Sequence, residues 1–176
     1  MISIEACIVL PIFIILLMFI YGFFILFAGQ NIIAHALIQS AQSLSLDSYS
    51  HEKLDAGATD SGPALIGGIF NTFFVTDEYY TSNSKWYSED IASMNDVIKK
   101  RFIGYLVVNP TDGKADVLLD YLGVEDGLDG FDFSLSEIDG DYLTVIVTYK
   151  QKFIFDFGDR VTMDMQQSIK VKMWGI

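Results

Sequence analysis

Residues 6–28, ACIVLPIFIILLMFIYGFFILFA, carry no charged side chain and decide the first element of the fold. A helix rises about 1.5 Å per residue, so these residues extend about 35 Å, enough to cross a hydrocarbon core of about 30 Å. A cleaved secretory signal has a basic start and a shorter apolar stretch, whereas the charged side chain before this run is the acidic Glu5. The segment therefore predicts a membrane-spanning helix.

The predicted helix continues beyond the apolar run. From Gly29 onward, apolar residues recur at steps of three and four, which is typical of a helix with one buried face; they are Ile33, Leu37, Ala41 and Leu44. We therefore expect a helix over 1–46, a connector over 47–63 and an acidic head over 64–176. No Lys or Arg precedes Lys53, which favours an outward-facing head because basic loops are retained on the cytoplasmic side.

Composition excludes several classes of function. The 23 acidic and 11 basic residues give a net charge of −12, and the basic residues are scattered, which argues against nucleic-acid binding. Cys7 is the single cysteine, so an intrachain disulfide is impossible. The two histidines, His35 and His51, fall on the predicted helix and in the predicted connector and match no catalytic-triad motif, and no phosphate loop or zinc motif occurs. We expect neither an enzyme nor a bound cofactor.

Helices are predicted in the first part of the head. Apolar residues at helical spacing predict an amphipathic helix over 88–105 with Ser88 as its N-cap. A short helix is expected over 115–123, closed by Gly123. The apolar segment 64–75 fits either a buried helix or a strand, because its length does not decide between them.

The last third of the chain predicts a sheet. Apolar residues occupy odd positions in three runs, and alternate residues of a strand share one face; the runs span 131–135, 143–157 and 161–173. We expect a three-stranded antiparallel meander, packed on the helix over 88–105 and on the amphipathic half of the first helix. The fold class is therefore α+β, a long N-terminal helix followed by a head of helices and sheet.

The same parity predicts the two hairpin loops. A three-residue loop at 158–160 pairs Phe157 with Val161 and Tyr149 with Ile169. This register also places Gln151 opposite Gln167 on the apolar side. In the first hairpin, a two-residue Asp-Gly turn would oppose odd to even positions, so parity favours a three-residue loop at 139–141.

One acidic turn is a weak candidate for calcium. Its carboxylates lie among glycines within VEDGLDGFD and supply the oxygen ligands that calcium prefers; they are Glu125, Asp126, Asp129 and Asp132. The spacing does not match an EF-hand, and calcium needs six to eight converging oxygens. A solvated acidic turn is the favoured interpretation.

The first residues carry a family resemblance. MISIE with Glu5, ACIVLP with Pro11, and one helix that is apolar and then amphipathic together resemble a mature type IV pilin-like subunit. SIEACIVLPIF resembles more narrowly the start of the TadE-like pilins of tight-adherence (Tad) systems, and the ending SIKVKMWGI resembles the close of clostridial-type members. The resemblance covers about 1–46 and the last ten residues.

The resemblance implies how the subunit is processed and assembled, and which proteins take part. A prepilin peptidase removes a basic leader, residue 1 is often N-methylated, and the subunit waits in the cytoplasmic membrane. Pilus assembly machinery then builds a helical homopolymer, a secreted cell-surface fimbrium that serves adhesion. Met1, Glu5 and Pro11 are the implied assembly residues.

Glu5 and Pro11 each allow two interpretations. The Glu5 carboxylate could neutralise the Met1 amine of a neighbouring subunit, since subunits out of register would leave both charges uncompensated. Alternatively it lies solvated at the headgroups, near the positive end of the helix dipole. Pro11 either loosens the helix for packing or is simply tolerated, as prolines are in membrane helices.

Two other functions remain open at the level of sequence. The chain could be a single-pass anchored surface protein or a minor or tip pilin that forms no long polymer. An anchored surface hydrolase is a third class, which would depend on His35 or His51. A helical repeat in negative-stain images of sheared surface material would distinguish a filament subunit from an anchored surface protein or a tip pilin.

Overall fold

A computed structural model describes residues 4–55, 79, 86–88, 90–107, 114–153 and 161–174. Within these residues, three α-helices and three strands follow one another: α1 Ile4–Asp55, α2 Ile91–Leu106, α3 Lys114–Tyr121, β1 Glu137–Asp139, β2 Tyr142–Lys152 and β3 Thr162–Lys172. The strands form an antiparallel sheet in the order β1-β2-β3. The predicted α+β fold with a β-meander is confirmed.

α1 is longer than the sequence predicted. It continues past Leu46 to Asp55, so the first nine residues of the expected connector are helical. Serine hydroxyls can satisfy the carbonyl of the preceding turn, and here Ser48 Oγ donates to the Ser45 carbonyl at 2.8 Å. A polar sequence therefore remained compatible with a helix. The remaining connector and the apolar segment 64–75 lie outside the described residues.

The amphipathic half of α1 packs into the head as predicted. Four apolar residues at helical spacing are buried to 2% exposure or less: Ile33, Leu37, Ala41 and Leu44. The head also reaches further down α1 than expected, because Gly22, Ile25 and Leu26 within the apolar run are buried. The apolar and head-bound parts of α1 therefore overlap.

α2 begins at a different residue from the predicted one. Asp90, not Ser88, is the N-cap, and its carboxylate accepts from the Ser93 backbone N–H at 3.2 Å. Ser88 belongs instead to a short 3₁₀ helix that starts at Trp86, whose side chain is fully buried. That extra turn uses the residues that would otherwise start the helix. Met94, Ile98 and Phe102 are buried as their spacing predicted, whereas Ile91, which the same spacing predicted to be buried, is 68% exposed.

Gly123 closes α3 as predicted. Its N–H donates to the Asp120 carbonyl at 2.9 Å, and the Val124 N–H donates to the Leu119 carbonyl at 2.8 Å. These two bonds form a Schellman motif. Gly123 has φ +76°, and a Cβ there would lie 2.4 Å from the Lys152 carbonyl oxygen. Both the backbone angle and the close approach of β2 therefore require glycine.

The predicted register of the second hairpin is wrong by four residues, although its parity is right. Tyr149 pairs with Met165, not Ile169. The Val161 carbonyl accepts from the Phe153 N–H at 3.3 Å, which excludes the expected Phe157 partner. Parity alone allows even-numbered slips, because every such slip keeps the same face buried. The predicted loop at 158–160 lies outside the described residues.

The predicted opposition of Gln151 and Gln167 is wrong for the same reason. Gln151 pairs with Met163, and Gln167 pairs with Val147. Both amides nevertheless face α1. Gln167 Nε2 donates to the Gln30 carbonyl and to Tyr149 Oη, each at 3.2 Å. The glutamines therefore bond to α1 and to the tyrosine rather than to each other.

The predicted three-residue loop at 139–141 is also wrong. Asp139 pairs directly with Tyr142, leaving a two-residue turn whose Gly140 has φ +55°. From Asp132 to Ile138 the chain advances six residues while its partner strand advances five, from Thr148 to Leu143, so one residue is extra. That residue shifts the odd–even pattern that parity had assumed constant.

The parity change occurs at a turn before β1. Leu135, predicted to be buried, is 55% exposed, and Ser136 is buried in its place. Ser136 Oγ donates to the Ile146 carbonyl at 3.2 Å and accepts from the Ile146 N–H at 3.0 Å. A buried hydroxyl therefore replaces a backbone ladder partner. The sheet packs on α1, while Phe102 of α2 contacts Phe131 and Phe133.

Candidate functional site

The first half of α1 is an exposed apolar surface. Every residue from Ile8 to Ile20 is exposed, with large side chains 37–63% accessible. Of the described helices, α1 alone is long and apolar enough to cross a membrane, by length and composition, over Ile8–Tyr49. Only 11% of its apolar window is buried, unlike the core helix of a soluble protein. α1 is therefore compatible with a membrane anchor or a signal segment.

Two of the three predicted assembly residues, Glu5 and Pro11, lie in the described part of α1. Glu5 is in the first turn of α1, Pro11 is inside the helix and exposed, and Met1 lies outside the described residues. Proline removes one backbone donor, yet α1 is assigned as helix on both sides of Pro11. The side chain of Glu5 is outside the described part, so its pairing with an amine stays a prediction.

The head meets the apolar half of α1 through aromatic side chains. Tyr21 Oη and Tyr121 Oη, at the end of α3, are hydrogen-bonded at 2.9 Å. The Phe153 ring lies 6.0 Å from that of Phe19 and 5.3 Å from that of Phe23, centre to centre. We call Val117, Leu118, Tyr121 and Phe153 the base of the head. The base reaches α1 from Phe19 onward.

A buried amide fastens the base to α1. Gln151 is fully buried, and its Nε2 donates to the Leu122 carbonyl at 2.9 Å and to the Leu26 carbonyl at 3.4 Å. A Cβ on Gly29 would lie 2.8 Å from that nitrogen. Gly29 therefore admits the amide of the same subunit. No local sequence pattern predicts this contact, because 122 residues separate Gly29 from Gln151.

An ion pair fastens the upper part of α1 to α2. The Arg101 guanidinium is buried, bonds to the Asp47 carboxylate and donates to Ser43 Oγ at 2.6 Å. The Arg101 side chain is 4% exposed and that of Asp47 is 27% exposed. Sequence reasoning missed this pair because Asp47 was assigned to the connector. An arginine within the apolar stripe of α2 was the available signal, since arginine is almost never fully buried unless paired.

Two of the four carboxylates in the acidic turn, Glu125 and Asp132, bond to other residues of the head. Glu125 Oε1 lies 3.4 Å from Lys152 Nζ. The Asp132 carboxylate accepts from the Ser134 N–H at 2.9 Å and from its hydroxyl at 2.8 Å, which lowers the pKa of Asp132 below its usual value. Within the described ranges, no three His, Cys, Asp or Glu side chains are grouped to hold a metal ion.

The two histidines lie on α1. His35 is exposed on the helix, and His51 is in its last turns with a side chain outside the described part. α1 therefore spaces the two residues about 24 Å apart along its axis, since sixteen residues separate them. They do not share one site.

Comparisons with protein-family models, curated proteins and solved structures find no match to this chain.

Proposed function

We propose that this chain is a structural subunit of an extracellular type IV pilus-like filament of the Tad type, assembled through α1 and serving surface attachment. The supporting observation is that α1 is one continuous helix, exposed over its first part and packed into the head over its second part. Its first part presents apolar side chains on all sides from Ile8 to Ile20, and its second part is built into a folded acidic head. Such a helix suits lipid before assembly and a bundle of like helices afterwards.

The physical chemistry of the apolar part supports this transfer. Moving from lipid to a helix bundle keeps the apolar surface out of water, so the hydrophobic effect does not oppose assembly. A lone carboxylate at Glu5 costs several kcal/mol, about 2.5–3.5 on insertion scales, if it enters hydrocarbon without a partner. The amine of residue 1 in a neighbouring subunit is the partner that we propose for it.

The acidic head fits the outer surface of such a filament. Like-charged heads remain soluble and resist unspecific association. Their repulsion is screened beyond about 8 Å at physiological ionic strength, so heads whose charges are further apart than this hardly repel one another. Close contact is then left to the uncharged apolar part of α1.

The test is an isosteric change at Glu5. Glu5→Gln keeps the size and removes the charge, and we expect the variant to stay folded and membrane-bound while filament yield collapses. Glu137→Gln, the same change on the exposed strand β1, is the matched control and leaves filament yield unchanged. Yield is measured by negative-stain microscopy and quantitative blotting of sheared surface material from cells that carry the assembly machinery.

Two outcomes contradict the proposal. Normal filaments from Glu5→Gln remove the role of the carboxylate in assembly. A parent chain that remains in the membrane fraction, with no helical repeat in the sheared material, indicates the single-pass anchored surface protein or the tip pilin instead.

A further inference from the structure

The apolar part of α1 below the head is shorter than a bilayer. Glu5 and Tyr21 are sixteen residues apart, about 24 Å along the helix. A hydrocarbon core measures about 30 Å, and a tilted helix spans less depth still. With the Glu5 carboxylate held at one interface, the hydrocarbon extends about 6 Å or more beyond Tyr21, on the side where the head begins.

The base of the head lies at that depth. The Tyr21–Tyr121 hydrogen bond places the end of α3 beside α1, and Phe153 packs on Phe19 and Phe23. Tyrosine and tryptophan concentrate at both membrane interfaces, because their rings are apolar and their polar ends reach water. The two tyrosines therefore have the composition and the position of an interfacial pair.

α3 exposes apolar side chains at this level. Val117 is 70% exposed, Leu118 is 38% exposed and Tyr121 is 57% exposed, whereas Leu119 on the opposite side is fully buried in the head. Single apolar residues scattered over a surface are common and need no explanation, whereas a contiguous exposed apolar patch marks an interaction site. Here the three are neighbours on one short helix and continue the exposed surface of α1.

The charges of α3 lie on a different side. At 100° per residue, Asp120 is about 107° and Asp116 about 147° from the centre of the exposed apolar side. The Asp116 carboxylate accepts from the Leu128 N–H at 3.2 Å, so it is directed toward the acidic turn. α3 can therefore enter the interface with its apolar side and keep both carboxylates in the aqueous phase.

We infer that the base of the head is a lipid-contact surface: Val117, Leu118, Tyr121 and Phe153 insert into the outer interface of the bilayer that α1 crosses. The inference rests on the membrane stage of the proposed function. The head is then held at two places, by α1 through the bilayer and by α3 on its surface. A second contact of this kind restricts the rotation and tilt of the head above the membrane.

The experiment measures the depth of single positions in the full chain. Cys7→Ser removes the native thiol, and Val117→Cys is labelled with an environment-sensitive fluorophore after reconstitution into phosphatidylcholine bilayers. Lipids with a nitroxide near the headgroup quench labels at the interface. We expect about two-fold or greater quenching and a blue-shifted emission at Val117, as for an interfacial helix.

Two further positions make the result decisive. Ile14→Cys, about 14 Å along α1 from Glu5 and so near the middle of the bilayer, is the control for membrane insertion and is measured with lipids that carry the nitroxide deep in the acyl chain. Tyr142→Cys is the control for the distal head: Tyr142 is 43% exposed and pairs with Lys172, whose carbonyl accepts from Ser45 Oγ. Ser45 lies 24 residues beyond Tyr21, about 36 Å along the helix, so Tyr142 should stay unquenched.

Each other outcome overturns the inference. Quenching at Ile14 with none at Val117 leaves the anchor and the filament proposal intact and removes the lipid contact. No quenching at either position removes the membrane stage, and the lipid contact with it. A blue shift at Val117 that grows with protein density, without lipid quenching, assigns the base to a second copy of the chain instead.

Discussion

Removing the charge of Asp47 should destabilise the head more than removing that of its partner Arg101. The two side chains differ in exposure: the guanidinium is 4% exposed and the carboxylate 27%. Asp47→Ala removes the carboxylate bonded to a guanidinium that is almost inaccessible to water, at a cost of about 3–4 kcal/mol. Arg101→Met keeps the volume of the stem, and the remaining carboxylate can hydrate, so the cost falls to about 1–2 kcal/mol.

The assay is urea unfolding of the full chain in nonionic detergent micelles, followed by near-ultraviolet circular dichroism. Trp86 is fully buried in the core, so its signal reports packing of the head rather than the helicity of α1. The double variant Arg101→Met/Asp47→Ala should lose less than the sum of the single variants, by about 1–2 kcal/mol, because both single variants remove the same ion pair.

A second ion pair on α2 is the matched control. Lys100 Nζ and Asp96 Oδ2 are 2.9 Å apart, but their side chains are 46% and 60% exposed. Lys100→Met should therefore change the free energy of unfolding by less than about 0.5 kcal/mol. An Arg101→Met cost equal to or above that of Asp47→Ala would refute the reasoning that exposure decides which half of the pair matters.

Three other variants test the head at separate points. Burial raises the pKa of Tyr149 to about 12, whereas that of a tyrosine in the unfolded chain is about 10. The free energy of unfolding should therefore be constant below pH 10 and fall by about 2–3 kcal/mol between pH 10 and pH 12. Tyr149→Phe should reduce that fall when urea unfolding is measured across this pH range. Hydrogen bonds from Ser134 lower the pKa of Asp132, so its carboxylate stabilises the fold above about pH 4 and this effect is lost as the pH falls through the folded pKa. The free energy of unfolding of Asp132→Asn should therefore fall less on acidification than that of the parent chain. An equal fall in both proteins would contradict this prediction. Deleting residues 1–18 should leave a folded soluble monomer by sedimentation, whereas deletion to residue 28 removes the buried Ile25 and should unfold the head, because core truncations cost about 2–5 kcal/mol each.

Sequence periodicity predicted the elements of the fold well and their pairing badly. The stripe of Ile33 and Leu37 and the closing Gly123 were found because helix spacing and capping are local properties. The register of β2 and β3 was wrong because parity is unchanged by an even slip. The contact of Gln151 with Leu26 favours the observed register, and that contact spans 125 residues.

The candidate site was predictable to the same extent. The exposed part of α1 follows from composition alone, since thirteen residues from Ile8 to Ile20 contain no polar side chain that needs water. The base of the head did not follow, because Val117 and Tyr121 looked like part of an ordinary amphipathic helix. Only their position beside Tyr21 distinguishes them. Tertiary placement, rather than any local pattern, carries that information.

The head also stiffens α1, because it is attached to the helix at two separate places. It is fixed to the helix at Leu26 through Gln151, and at Ser48, whose hydroxyl accepts from the Trp174 N–H at 3.3 Å. These attachments are 22 residues apart, about 33 Å. Bending the helix between them would shear the sheet that joins them, so flexure is concentrated in the bare segment before Phe19, where Pro11 has already removed one backbone bond. We therefore expect α1 to be stiff between Leu26 and Ser48 and to bend more easily before Phe19.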